Sequence, residues 1–202
     1  MEIKDMHEVA RTAREQMPPH TAFRDEDEVV LAANREFLAG LEDTLVKAFY
    51  DTLFAHPPTA EVFIEGERPN REKTLSDWWQ RTVEGPHDDD YFAWMAMVGL
   101  VHVIRGVSNP MMLGMSDFVS RAVEELARGA LTHDDVAALS EAYRRLTATV
   151  SSVITYGYDM AIEKALYDVA GMPVELLHRL RNQEISRELS TAREQLGRKR
   201  FE

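Results

Sequence analysis

Apolar residues recur at three- and four-residue spacing along almost the whole chain. No segment alternates with period two, so the pattern predicts helices and no strands. Asp25 and the acids after it suit a helix start, because carboxylates favour the positive end of the helix dipole. Val29, Val30, Leu31, Ala33, Phe37 and Leu38 give that helix its apolar side, and Gly40 interrupts it. In the next helix Leu41, Leu45, Ala48, Phe49 and Leu53 share one broad face until Pro57 and Pro58 end it near Ala55. Thr59 caps a short turn through Val62 and Phe63, and the polar run EGERPNRE (65–72) reads as a loop. A helix from about Glu72 to Val83 groups Leu75, Trp78, Trp79 and Val83 before Gly85 and Pro86 stop it.

Asp88–Asp90 open a helix whose body, Tyr91–Ile104 (YFAWMAMVGLVHVI), is aromatic, aliphatic, methionine or glycine except for His102. Gly106 and Ser108–Pro110 form a corner, with Ser108 or Asn109 as cap and Pro110 in the first helical turn. The helix that follows stops at Gly129. Thr132 and Asp135 have the polarity of a capping box and begin a long helix to about Ala170, closed by Gly171 and Pro173. Upstream, a short helix precedes the proline pair at Pro18–Pro19. Downstream, Leu177, Leu180, Ile185, Leu189 and Leu196 make a stripe too narrow for a core of its own. The expected architecture is all-α, with about seven or eight helices. A central domain over 25–172 is flanked by an N-terminal extension (1–24) and a C-terminal helical extension (173–202).

Composition narrows the chemistry. Cysteine is absent from the 202 residues, which removes disulfides, thiolate metal sites and cysteine nucleophiles. A net charge of −12 repels phosphate backbones, and the basic run Gly197–Arg200 is short, so nucleic acid is not an expected partner. No apolar run reaches the roughly 20 residues that cross a bilayer, and the charged N-terminus lacks a signal-peptide core, so a cytoplasmic protein without a membrane partner is expected. No Ser-His-Asp order, phosphate loop or metalloprotease helix is present, and catalysis by side chains has no candidate. The acidic runs Asp25–Glu28 and Asp88–Asp90 read as helix starts and solvated faces. Glu175 and His178 have a Glu-x-x-His spacing, but a di-iron site needs a second copy and further carboxylates.

A lone imidazole on an apolar helix needs a hydrogen-bond partner or a metal to offset its desolvation. Its surroundings select between these. The segment Gly85–Gly114, with Asp90, Tyr91, Val98, Gly99, His102, Val103 and Gly106, resembles the histidine-bearing stretch of the sensor globins and protoglobins. A second stretch, Lys47–Phe63 (KAFYDTLFAHPPTAEVF), resembles their segment of aromatic residue, tyrosine and His-Pro helix end, and the two occur in the family's order. The likeness spans roughly Asp25 to Asp168 and implies a globin-like fold.

The resemblance implies haem b, with His102 as the axial ligand to iron and Tyr50 on the distal side. Phe49, Leu75, Trp78, Trp79, Val98 and Met112 are expected to line the group, with Phe54, Phe92 and Trp94 as further wall candidates. Gly99, one turn before His102, is expected to let the macrocycle approach the backbone. Many sensor globins carry arginines before the Gly-x-x-His core; here Ala93–Met97 stand in those positions, leaving Arg71, Arg81 or Arg105 for the propionates. The implied role is a gas sensor for O2, and for CO or NO, not an enzyme. The family's last two helices imply a homodimer, and residues 173–202 would be a coiled-coil stub or a docking helix for a separate output protein. Two other readings stand beside it: a haem-free regulatory dimer of the same fold, and a haem enzyme acting on NO or peroxide.

Overall fold

The computed structural model describes residues 5–171 and 173–195; Leu196 and the basic run Gly197–Arg200 lie outside the described residues. Ten helices occur among them. In chain order they are α1 (Met6–Glu15), α2 (Asp25–Ala33), α3 (Arg35–Ala39), α4 (Glu42–Ala55), α5 (Pro57–Ala60), α6 (Arg68–Glu84), α7 (Asp89–Arg105), α8 (Asn109–Arg128), α9 (His133–Ala170) and α10 (Val174–Gln195). The count exceeds the expected seven or eight because the 25–39 region breaks at Asn34 and the Pro57–Pro58 pair starts a short helix of its own. The EGERPNRE run is not all loop. Helix α6 already begins at Arg68, with Pro69 in its first turn, where a missing N–H costs nothing.

Residue contacts divide the chain into two compact units, one up to Ala161 and one from Ile162. In the second, Glu163 near the end of α9 accepts hydrogen bonds from His178 Nε2 at 2.8 Å and Arg181 Nη1 at 3.0 Å, tying α10 back across the Gly171 turn. His178 therefore already has a carboxylate. Among the described residues no group of three or more His, Asp or Glu side chains could hold a metal ion.

The first unit is built around α7. Asp88 caps this helix by accepting the Tyr91 N–H at 2.9 Å, and Gly106 ends it in the left-handed region at φ 71°, where only glycine avoids strain. One face of α7 buries Tyr91, Phe92, Met95 and Ala96 in a core shared with Leu38, Trp79, Tyr143 and Leu146. Helix α1 packs along it, with Val9, Ala10 and Ala13 inward. Polar contacts fix its position: His7 Nε2 meets Asp90 at 2.8 Å, Arg14 pairs with Asp89 at 2.9 Å, and the Arg14 guanidinium lies 4.5 Å from the Phe92 ring centroid. The hydrogen bond to Asp90, with a second to Asp5, pushes the His7 imidazole up to about 9.

The acids at the start of α2 are not simply a solvated face. Asp27 is 1% exposed and receives Arg145 Nε at 2.8 Å and Nη2 at 2.5 Å. Glu28 faces the buried His87, whose Nδ1 lies 2.6 Å from the carboxylate. Sequence spacing carries no trace of either pairing, since the partners lie far along the chain.

Gly99 has a different task from the one expected. A Cβ there would stand 2.4 Å from Ile154 O and 2.7 Å from Tyr158 N, and one at Gly157 would stand 2.5 Å from Ala96 O. The missing side chains let α7 and α9 cross backbone to backbone, so the room at Gly99 belongs to α9 and not to a ligand. Helix propensity alone makes Gly→Ala favourable by about 1 kcal/mol. Gly99→Ala and Gly157→Ala are expected instead to destabilise by roughly 1–3 kcal/mol, the usual range for overpacking. Gly114→Ala in α8, with nothing within 4 Å of its Cβ, should gain stability. Denaturant midpoints of the three variants check this, and a gain at Gly99 or Gly157 would refute the close crossing.

Candidate functional site

Tyr50 sits on the inward face of α4, 6% exposed, in a small apolar cluster with Val46 and Leu53. Phe49, Phe54, Phe63, Leu75 and Met115 pack against that cluster. The Phe49, Phe63 and Phe54 rings stand 5.4, 5.9 and 6.4 Å from the Tyr50 ring. Burial pushes the Tyr50 phenol up to about 12, so it is a neutral donor at ordinary pH. Its hydroxyl donates to Arg71 O at 2.7 Å, in the first turns of α6.

His102 lies in the last turn of α7, half-buried. Its backbone carbonyl accepts from Val107 N–H at 3.0 Å, while its ring makes no hydrogen bond to any described residue. Desolvation alone acts on the imidazole and pulls its pKa below the ordinary value. The ring is therefore neutral, with its nitrogen lone pair available, which is the form that binds a metal.

The Tyr50 and His102 segments meet through a charged cluster. Glu67, the residue before α6, accepts Arg71 Nε at 2.7 Å and a second bond from Arg71 Nη2. It also accepts Arg105 Nη2 on the same oxygen, and its other oxygen takes the Ile64 N–H at 3.2 Å. Arg105 stands one turn after His102 on α7, on nearly the same face. The Arg105 bond, the Ile64 N–H and the Arg71 bond hold the Glu67 carboxyl down at about 2.

The structure thus brings Tyr50, Phe49 and Leu75 together and joins them through Arg71 and Glu67 to the helix of His102. Other expected wall residues take positions in the main core. Trp79 is fully buried there and donates Nε1 to Leu38 O at 3.1 Å, and Met112 is 8% exposed in the same core. Trp78, Trp94 and Val98 pack partly buried against that core, and Phe92 lies wholly within it. Arg81 is committed elsewhere, to Gly85 O, to Asp88 and to the Tyr91 ring. Glu67 and Phe63 escaped the sequence reading. The Glu67–Arg71 spacing of four is a helical ion-pair signal that could have found Glu67, but its link to Arg105 has no local signature.

The family model for Protoglobin matches residues 19–164. The chain belongs to the protoglobin family. Protoglobins are haem proteins of globin fold that bind diatomic gases, and the match encloses both Tyr50 and His102. Helix α1 lies before the matched region and yet packs on the histidine helix. No curated protein shows significant similarity to the chain. No helix among the described residues is long and apolar enough to cross a membrane.

Because the folded Glu67 pKa lies below its ordinary 4.5, its contribution to stability is present above that value and is lost as pH falls through about 2. The thermal midpoint of the wild type should exceed that of Glu67→Gln at neutral pH, and the gap should close between about pH 4.5 and 2. A gap independent of pH would show that the carboxylate charge plays no part.

Proposed function

We propose that this protoglobin binds haem b with His102 as the axial ligand to iron and Tyr50 on the opposite side, and that it acts as a reversible O2 sensor, with CO and NO as further ligands. The observation that carries the reading is the His102 imidazole: half-buried, neutral, and with neither a hydrogen-bond partner nor a charged neighbour acting on it among the described residues. Such a group fits an iron ligand, and Val98, one turn before it on α7, gives it apolar company. When bound, haem supplies an iron that takes up diatomic gases.

The chain's own residues set the conditions around it. Tyr50, kept neutral by burial, is the donor on that side, its one O–H turning from Arg71 O to meet a diatomic ligand, and Phe49, Phe54, Phe63 and Leu75 keep water out. Sensing requires that ligand binding favour one helix arrangement over another. The family's dimer would run through α8 and α9. Residues 173–202 would carry the signal to a partner protein. No side-chain catalysis enters this reading.

One observation favours the haem-free alternative. The Tyr50 hydroxyl and both arginines beside it already find partners within the chain.

Absorption spectra of protein purified with haem supplied, ferric and then dithionite-reduced under CO, separate the two. The expected result is an intense Soret band that shifts with CO and is lost or strongly altered in His102→Ala. Tyr50→Phe should keep the band and release O2 about tenfold faster, as expected for the loss of one hydrogen bond of about 1.4 kcal/mol. A folded helical protein without a Soret band would make the haem-free regulatory dimer the function.

A further inference from the structure

We infer that Arg71 and Arg105 form a carboxylate clamp that receives a haem propionate, and that Glu67 is its resident occupant, which the propionate replaces. The inference rests on the haem reading above and assigns three residues beyond it.

Both guanidiniums converge on one carboxylate oxygen of Glu67, whose side chain is only 12% exposed. The clamp carries two positive charges against that single negative one. The neighbouring Glu72 is spoken for by Arg68, at 2.7 Å. Arg105 uses one of its nitrogens, and its Nε and Nη1, like Nη1 of Arg71, make no hydrogen bond to a described residue. Charge and donors are thus both in excess of what Glu67 satisfies, and guanidinium donors match carboxylates in a planar, two-bond fashion.

Position makes the clamp specific to this site. Arg105 follows His102 by one helical turn, and Arg71 accepts the Tyr50 hydroxyl through its own carbonyl. Arg81, the third arginine the sequence offers, is held by Gly85, Asp88 and Tyr91 and is not free for this purpose. The apolar positions Ala93–Met97 leave no cation on the preceding turns of α7. A carboxylate arriving beside His102 therefore meets this pair. It competes there with a carboxylate that the fold has placed on the same guanidinium edges, and Glu67 retains its bond to the Ile64 N–H when the arginines leave it.

The test compares haem with its dimethyl ester, which lacks the two propionate charges, by Soret titration of the full chain. Wild type should prefer haem to the ester. Arg105→Gln and Arg71→Gln should each lower that preference about tenfold, the value of one charge-assisted hydrogen bond, with little change in ester affinity. Glu67→Gln should raise the preference by a similar factor. Because both ligands are titrated into the same preparation, a general loss of folding would move both affinities and leave their ratio alone. An unchanged preference in both arginine variants, or an unchanged or lowered one in Glu67→Gln, overturns the clamp while leaving haem binding in place. A wild type that gives no Soret band with either ligand overturns the haem reading and the clamp with it.

Discussion

The placement of everything near His102 depends on the crossing of α7 and α9. Ordinary helix pairs keep their axes about 8–10 Å apart because side chains stand between them. At Gly99 and Gly157 no side chains stand there, and the two backbones touch at Ala96, Ile154 and Tyr158. Close contact of rigid backbones fixes both the depth and the rotation of α7. His102 lies less than one turn from Gly99, so this crossing decides which way the imidazole faces. Helix α1 reinforces it from the other end, holding Asp89 and Asp90 with Arg14 and His7.

Rotation of α7 then divides its residues into two sets. Phe92, Met95, Ala96 and Gly99 turn into the main core with Trp79 and Tyr143, while His102 and Arg105 lie at its edge. Tyr50 belongs to another small apolar cluster, seated on α4 and α6. The polar thread between them is short: the Tyr50 hydroxyl to Arg71, Arg71 to Glu67, Glu67 to Arg105. Charge-assisted bonds of this kind hold loops in register where apolar packing is thin.

What could be read from the chain follows from how local each cause is. The Asp88 cap, the Thr132 and Asp135 start of α9 and the proline stop after α4 are set by neighbours within a few residues, and the corresponding helix ends fall where expected. The Tyr50 and His102 stretches are likewise local patterns, and both lie inside the region that matches the family. Gly99 was misread because a helical glycine signals close approach without saying to what. Asp27 and Glu28 were misread because an acidic first turn and a buried ion pair look alike until Arg145 and His87, more than fifty residues away, are brought alongside. Trp79 gave no local sign that its indole would be spent on Leu38 O in the core.

The histidines sharpen the argument for His102 by contrast. His20, His56 and His133 are exposed, and water satisfies them. His7 has Asp90 and Asp5, and His178 has Glu163. His87 is the most deeply buried: its Nδ1 meets Glu28, its Nε2 has no hydrogen-bond partner among the described residues, and the rings of Phe23 and Tyr91 close on it at 5.1 and 4.8 Å. Each of these has found water or an acid. His102 alone among the described histidines is half-buried with neither a hydrogen bond nor a carboxylate beside it. A neutral, half-buried imidazole with no acid beside it keeps a nitrogen lone pair free, which is what the proposed ligation of iron requires.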